Sequence, residues 1–86
     1  MLKEMKVLQK QTYQTYVAIT THEYIVDDNG KKYLAVHNVG YDGQESFEYF
    51  ITDPNDILYV SEMVHNREIK EKLFEFVRQM HGEVEY

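Results

Sequence analysis

Two turn dipeptides constrain this chain more than any other feature of its sequence. Asn29-Gly30 precedes the strand-like residues 33–36, and Asp42-Gly43 precedes the strand-like residues 44–52. Asn-Gly and Asp-Gly between β-branched and aromatic runs are typical of two-residue β-hairpin loops of type I′. The sequence therefore predicts two consecutive antiparallel hairpins, which together make a meander.

The loop length also predicts which side chains share a face. With a two-residue loop, Asp28 stands opposite Lys31 and Asp27 opposite Lys32, and each opposite-charge pair contributes roughly 0.2–1 kcal/mol. A two-residue loop at Asp42-Gly43 aligns residues 44–52 with the preceding strand in the same way. Because side chains alternate along a strand, the aligned strands then have two faces of known composition. The first, more aliphatic face is expected to pack against helix; it carries Glu23, Ile25, Leu34, Val36, Phe47, Tyr49 and Ile51. The second face carries His22, Tyr24, Val26, Tyr33, Ala35, His37, Glu48, Phe50 and Thr52.

The last third of the chain has helical periodicity. Asn66 is a suitable N-cap, and an apolar stripe follows it at the spacing of a core-facing helix: Ile69, Leu73, Phe76, Val77 and Met80. Asp53-Pro54-Asn55-Asp56 predicts an earlier helix start, because Asp caps helices and Pro suits their first position. A short edge strand at residues 57–60 is the alternative.

The first third is less regular. Residues 1–11 predict a short helix or an irregular arm at a sheet edge, and residues 12–28 predict one long strand, with two strands meeting near Thr20-Thr21 as the alternative. The predicted fold class is α+β: a three- to four-stranded antiparallel sheet (a meander) with a C-terminal helix or helices packed on one face. At 86 residues, the whole chain, 1–86, is expected to form a single domain.

Little in the sequence indicates catalysis. There is no Cys, no Gly-X-Ser-X-Gly motif and no Gly-rich phosphate loop, so we expect neither an enzyme nor a cofactor. One alternative is a metal-dependent enzyme, because the predicted register places His22, His37 and Glu48 side by side, and two imidazoles with a carboxylate suit zinc or iron.

Charge is distributed unevenly along the chain. The net charge is −6, and no Lys or Arg occurs between Tyr33 and Asn66. Such a field repels nucleic-acid phosphates and attracts basic protein surfaces, so direct nucleic-acid binding is not expected. The charged residues near Met1 do not resemble a signal peptide, and no run of about 20 apolar residues exists to span a membrane. The expected location is the cytoplasm.

These features predict a small, non-catalytic acidic protein that binds and modulates a larger protein with a basic surface, or binds a second copy of itself as a homodimer. The aromatic second face and the acidic segment beside it supply the expected partner-binding residues: Tyr24, Tyr33, Phe50, Asp42, Glu45 and Glu48. In size and charge alone, the chain resembles phage-encoded inhibitors, including anti-CRISPR proteins and other nucleic-acid mimics. That resemblance implies an alternative function as an inhibitor that occupies a basic groove.

Overall fold

The structure is a computed structural model that describes residues 5–82, with side chains described for residues 5–79. Five β-strands precede one helix: β1 (Lys6–Gln14), β2 (Ala18–Val26), β3 (Lys32–Gly40), β4 (Glu45–Asp53), β5 (Asp56–Met63) and α1 (Arg67–Gly82). The strands form one antiparallel sheet in the order β1-β2-β3-β4-β5. The α+β class and the meander are confirmed. The sheet has five strands, however, rather than the three or four predicted.

The first additional strand comes from the N-terminal third, where both leading predictions are wrong. Residues 6–11 are part of β1 rather than a helix or arm, and residues 12–28 are divided by a turn at Tyr16-Val17. The Thr15 N–H donates to the Ala18 carbonyl (2.9 Å), and the Thr15 hydroxyl accepts the Ala18 N–H (3.1 Å). A threonine side chain thus closes a turn that contains no glycine. Residues 1–4 of the predicted arm lie outside the described residues.

The second additional strand is β5, which follows a turn at Pro54-Asn55. Asp53 Oδ1 accepts the Asn55 N–H (2.8 Å), and Asp56 Oδ1 accepts the Leu58 N–H (3.1 Å). The two aspartates therefore stabilise a turn and a strand start instead of capping a helix. The predicted helix at residue 53 is wrong, and the alternative of an edge strand is confirmed.

Both predicted hairpins exist, but each has a three-residue loop. In the first, the Gly30 N–H donates to the Asp27 carbonyl (3.1 Å) and the Asp27 N–H to the Lys31 carbonyl (2.9 Å). Gly30 has φ +83°, and no described non-glycine residue has positive φ. A type I′ turn would need positive φ at both Asn29 and Gly30, and Asn29 does not have it. The loop is therefore a type I turn followed by a glycine in the left-handed conformation.

This loop shifts the predicted register by one residue. Val26 stands opposite Lys32, so the predicted pairing of Asp28 with Lys31 is wrong. Gly43 (φ +95°) gives the second hairpin the same loop and the same shift, with Tyr33 opposite Ile51. Because a one-residue shift reverses a strand's faces, the predicted sides of β3 are exchanged.

The helix packs on one side of the sheet, here called the helix face; the opposite side is the outer face. Asn66 Oδ1 accepts the Ile69 N–H (3.0 Å), which confirms the predicted N-cap. Three residues of the predicted stripe, Leu73, Phe76 and Val77, are buried in the core, whereas the Met80 side chain lies outside the described part. On the sheet, the buried core residues of the helix face are Ile25, Tyr33, Ala35 and Tyr49, joined by Val64 from the connection to α1. Within residues 5–82, no helix has the length and apolar character needed to cross a membrane.

Candidate interaction surface

The three residues predicted as a metal site do not converge. His22 and Glu48 each stand opposite Val36 on the outer face, but His37 is on the helix face. There the His37 ring stacks on Phe47 at 4.3 Å between ring centroids. The predicted trio depended on the two-residue hairpin loops, so it is wrong for the same reason as the register. Among the described residues, no group of three His, Asp or Glu side chains is placed to hold a metal ion.

The predicted aromatic surface is also divided. Tyr24 and Phe50 lie on the outer face, but Tyr33 lies on the helix face with 3% of its area exposed. Burial and, to a smaller extent, the nearby negative charge of Asp27 raise the pKa of Tyr33. On the outer face Tyr24 is itself buried, because it packs in a small cluster with Leu34, Val36, Phe50 and Ile57. The three rings therefore form no common exposed patch.

The predicted acidic partner residues lie at one end of the β3–β4 hairpin. Asp42 belongs to the turn, where its Oδ1 accepts the Gln44 N–H (3.1 Å). Glu45 is on the helix face, 3.4 Å from His37 Nε2, and Glu48 is exposed on the outer face. Glu45 and Glu48 thus lie on opposite faces of β4, near its N-terminal end.

The most exposed apolar strand is β5, at one edge of the sheet. Leu58 is 70% exposed and Tyr59 61%, and Val60 and Met63 are also exposed. An edge strand presents unpaired backbone groups, so apolar side chains along it make β5 a candidate site for association. The sequence signal was the run of four apolar residues at 57–60, because a strand at an edge cannot bury all of them.

Beside this edge, an open groove separates α1 from β4. Its volume is about 720 Å³, and it is lined by Phe47, Tyr49, His65, Arg67, Lys70, Glu71, Phe74 and Glu75. The Phe47 and Phe74 rings meet edge to face at 5.1 Å. Arg67 Nε lies 3.3 Å from Glu71 Oε2 on the rim. This α1–β4 groove therefore combines an aromatic interior with a charged rim.

Tyr49 is the buried polar residue of the groove. Its hydroxyl has no hydrogen-bond partner among the described residues, and burial raises its pKa to about 12. A buried hydroxyl without a partner costs free energy, so it usually indicates either a bound water or a site where a ligand completes the hydrogen bonding. Sequence reasoning placed Tyr49 on the correct face but did not identify the groove, because a groove depends on where α1 crosses the sheet.

Comparison with known proteins adds no assignment: no protein-family model, no curated protein and no solved structure matches this chain.

Proposed function

We propose that this chain is a small, non-catalytic acidic protein that binds a larger protein and modulates its activity. The observation that carries the proposal is the exposed apolar edge strand β5, with Leu58 and Tyr59 largely in solvent. Proteins usually protect an edge strand with charge, proline or a covering segment, and an apolar edge instead adds a strand from another chain.

The partner's surface is expected to be basic. The strands on this side of the sheet belong to the segment from Tyr33 to Asn66, which contains no Lys or Arg. Asp56 and Glu62 also place a carboxylate near each end of β5. Positive charge on the partner would steer the encounter, so binding should weaken as salt rises.

The test is affinity capture from the native host at two salt concentrations, with two matched variants. Leu58→Lys places a charge on β5, and Leu8→Lys makes the same change at an exposed leucine of β1. We expect one protein to be retained by the wild type and by Leu8→Lys and lost with Leu58→Lys. Capture that is equal for all three chains, or absent for all three, would contradict the proposal.

Occupation of a nucleic-acid-binding groove is a narrower form of the same proposal. In its favour, Asp27, Asp42, Asp53 and Asp56 extend negative charge along both ends of the sheet while accepting turn N–H groups. A mimic must compete with nucleic acid, so excess duplex DNA or RNA should release the captured partner. Retention of the partner under those conditions would favour the broader function.

A further inference from the structure

In the described part of the chain, the first half of β4 has no neighbouring strand on the side that faces away from β3. Within the described residues, β5 pairs with β4 from Phe50 to Asp53, and the Val64 N–H then donates to the Tyr49 carbonyl (2.9 Å). After Val64 the chain leaves the sheet for α1, which begins at Arg67. Residues 45–48 pair with β3 on one side only. These residues are called here the uncovered half of β4.

Backbone direction can be assigned along this half. The Gln44 carbonyl accepts the Gly40 N–H (2.7 Å), so it points toward β3, whereas the Tyr49 carbonyl points away from β3 toward Val64. Backbone groups alternate between the two sides of a strand in an antiparallel ladder. The N–H and C=O groups of Phe47 and Glu45 therefore point away from β3, where the described part of the chain offers no strand to pair with them.

The α1–β4 groove lies beside these backbone groups. Phe47 belongs to the uncovered half of β4 and also lines the groove, and its ring is held between His37 and Phe74. An extended segment paired with Phe47 would direct alternate side chains into the groove, against the rings of Phe47 and Phe74. A strand edge next to a helix, with a pocket for alternate side chains, is the arrangement used for peptide recognition by strand addition.

The charge of β4 indicates which side chains such a segment would carry on the outer face. Ser46 and Glu48 are exposed on the outer face, so the segment's other alternate residues would lie beside the Glu48 carboxylate. Opposite charges in cross-strand positions are stabilising, and like charges are destabilising. The complementary residues are therefore Lys or Arg.

We propose that the uncovered half of β4 and the α1–β4 groove bind an extended segment of the partner, in which apolar or aromatic residues alternate with Lys or Arg. The inference rests on the proposed function and names the chemistry that the partner presents. The added strand would occupy the same position in the sheet as β5 and lie end to end with it.

The first measurement uses the free protein. Amide hydrogen exchange should be fast at Phe47 and slow at Glu48, because only the Glu48 N–H faces β3. Addition of a short peptide with alternating lysine and phenylalanine should slow exchange at Phe47. Slow exchange at Phe47 without peptide, or no change when the peptide is added, would overturn the inference.

The second measurement is the Kd of that peptide by fluorescence anisotropy. N-methylation of its central amides leaves the side chains unchanged and should weaken binding about tenfold, because the backbone bonds are lost. Glu48→Lys should weaken binding about fivefold. Asp28→Lys, at the distant β2–β3 turn, makes the same charge change and should have no such effect. Equal Kd values for the two peptides, or for the two variants, would reject strand addition at this site.

Failure of this inference can be distinguished from failure of the proposed function. A captured partner that is lost with Leu58→Lys but retained at wild-type level by Glu48→Lys would leave the function in place and reject the groove as its site. Circular dichroism of both variants establishes that the sheet and helix are intact.

Discussion

The two edge strands of the sheet, β1 and β5, both present backbone N–H and C=O groups that could pair with another chain, but they differ in their side chains. β1 carries Lys6, Lys10 and several Gln residues, and a bulge at residue 8 interrupts its ladder with β2. β5 carries the exposed residues Leu58, Tyr59 and Val60, and it pairs with only half of β4. The ladder of β5 with β4 is irregular as well, at two points, so the difference between the edges lies in their side chains. β1 presents lysines and glutamines along its length, whereas the charges of β5 are confined to its two ends and its middle is apolar. The comparison supports the proposal that the partner binds on the β4–β5 side of the molecule.

The largest expected effect tests whether both edges depend on one core. Leu73 is fully buried between α1 and the sheet, whereas Glu75 is exposed on α1. Leu73→Ala should lower the free energy of unfolding by about 2–5 kcal/mol, and Glu75→Ala by much less. Urea denaturation followed by circular dichroism measures both. Equal midpoints for the two variants would mean that α1 does not hold the two edges in one cooperative unit.

A smaller effect is expected at Tyr49, next to the end of β5. Tyr49→Phe removes a buried hydroxyl that has no described partner, so it should stabilise the protein by roughly 1 kcal/mol near neutral pH. Tyr13→Phe, the same change at an exposed ring on β1, is the control and should have little effect on thermal stability. A lower melting temperature for Tyr49→Phe would show that the hydroxyl is satisfied after all.

Tyr49 also gives the β4–β5 side a dependence on alkaline pH. An unfolded tyrosine ionises near pH 10, whereas burial raises the pKa of Tyr49 to about 12. Between these values the unfolded chain has lost the proton that the folded protein still holds, so rising pH favours unfolding. Wild-type stability should therefore fall from about pH 10 to pH 12, and Tyr49→Phe should fall less. Parallel pH profiles for the two proteins would contradict this account.

The smallest effect on stability, and the most direct test of the comparison, comes from exchanging the character of the edges. Val60→Lys and Lys10→Val alter exposed side chains and should each change the free energy of unfolding by only about 0.5 kcal/mol. Self-association at high concentration, measured by sedimentation velocity, should decrease with Val60→Lys and increase with Lys10→Val. The same direction of change in both variants would show that edge composition does not control association.

The sequence predicted the elements of the fold better than their register. Asn29-Gly30 and Asp42-Gly43 correctly located two hairpins, but both dipeptides fit two loop lengths. The structure distinguishes these lengths, because neither Asn29 nor Asp42 has the positive φ that a two-residue type I′ loop requires. The predicted pairing register of each hairpin was therefore displaced by one residue. The two errors cancel between β2 and β4, so Ile25 and Tyr49 were assigned to the correct face while Tyr33 was not.

The candidate site was less accessible to sequence reasoning. Leu58 and Tyr59 belong to an apolar run that fits a helix, a buried strand or an edge strand, and local periodicity cannot decide among them. The α1–β4 groove depends on the crossing of α1 over Phe47 and Tyr49, which is a tertiary property. Turns closed by side chains, as at Thr15, have no strong sequence signal either.

The order of the strands has a consequence for how the chain folds. Every strand pairs with its neighbour in sequence, so each pairing closes only a short loop and loses little chain entropy. The helix α1 comes last, and until it docks, the apolar side chains of the helix face have no cover. An intermediate with its sheet formed and α1 undocked would expose that face to other chains. Docking of α1, rather than strand pairing, would then be the step at which folding competes with aggregation, and refolding yield should fall as protein concentration rises.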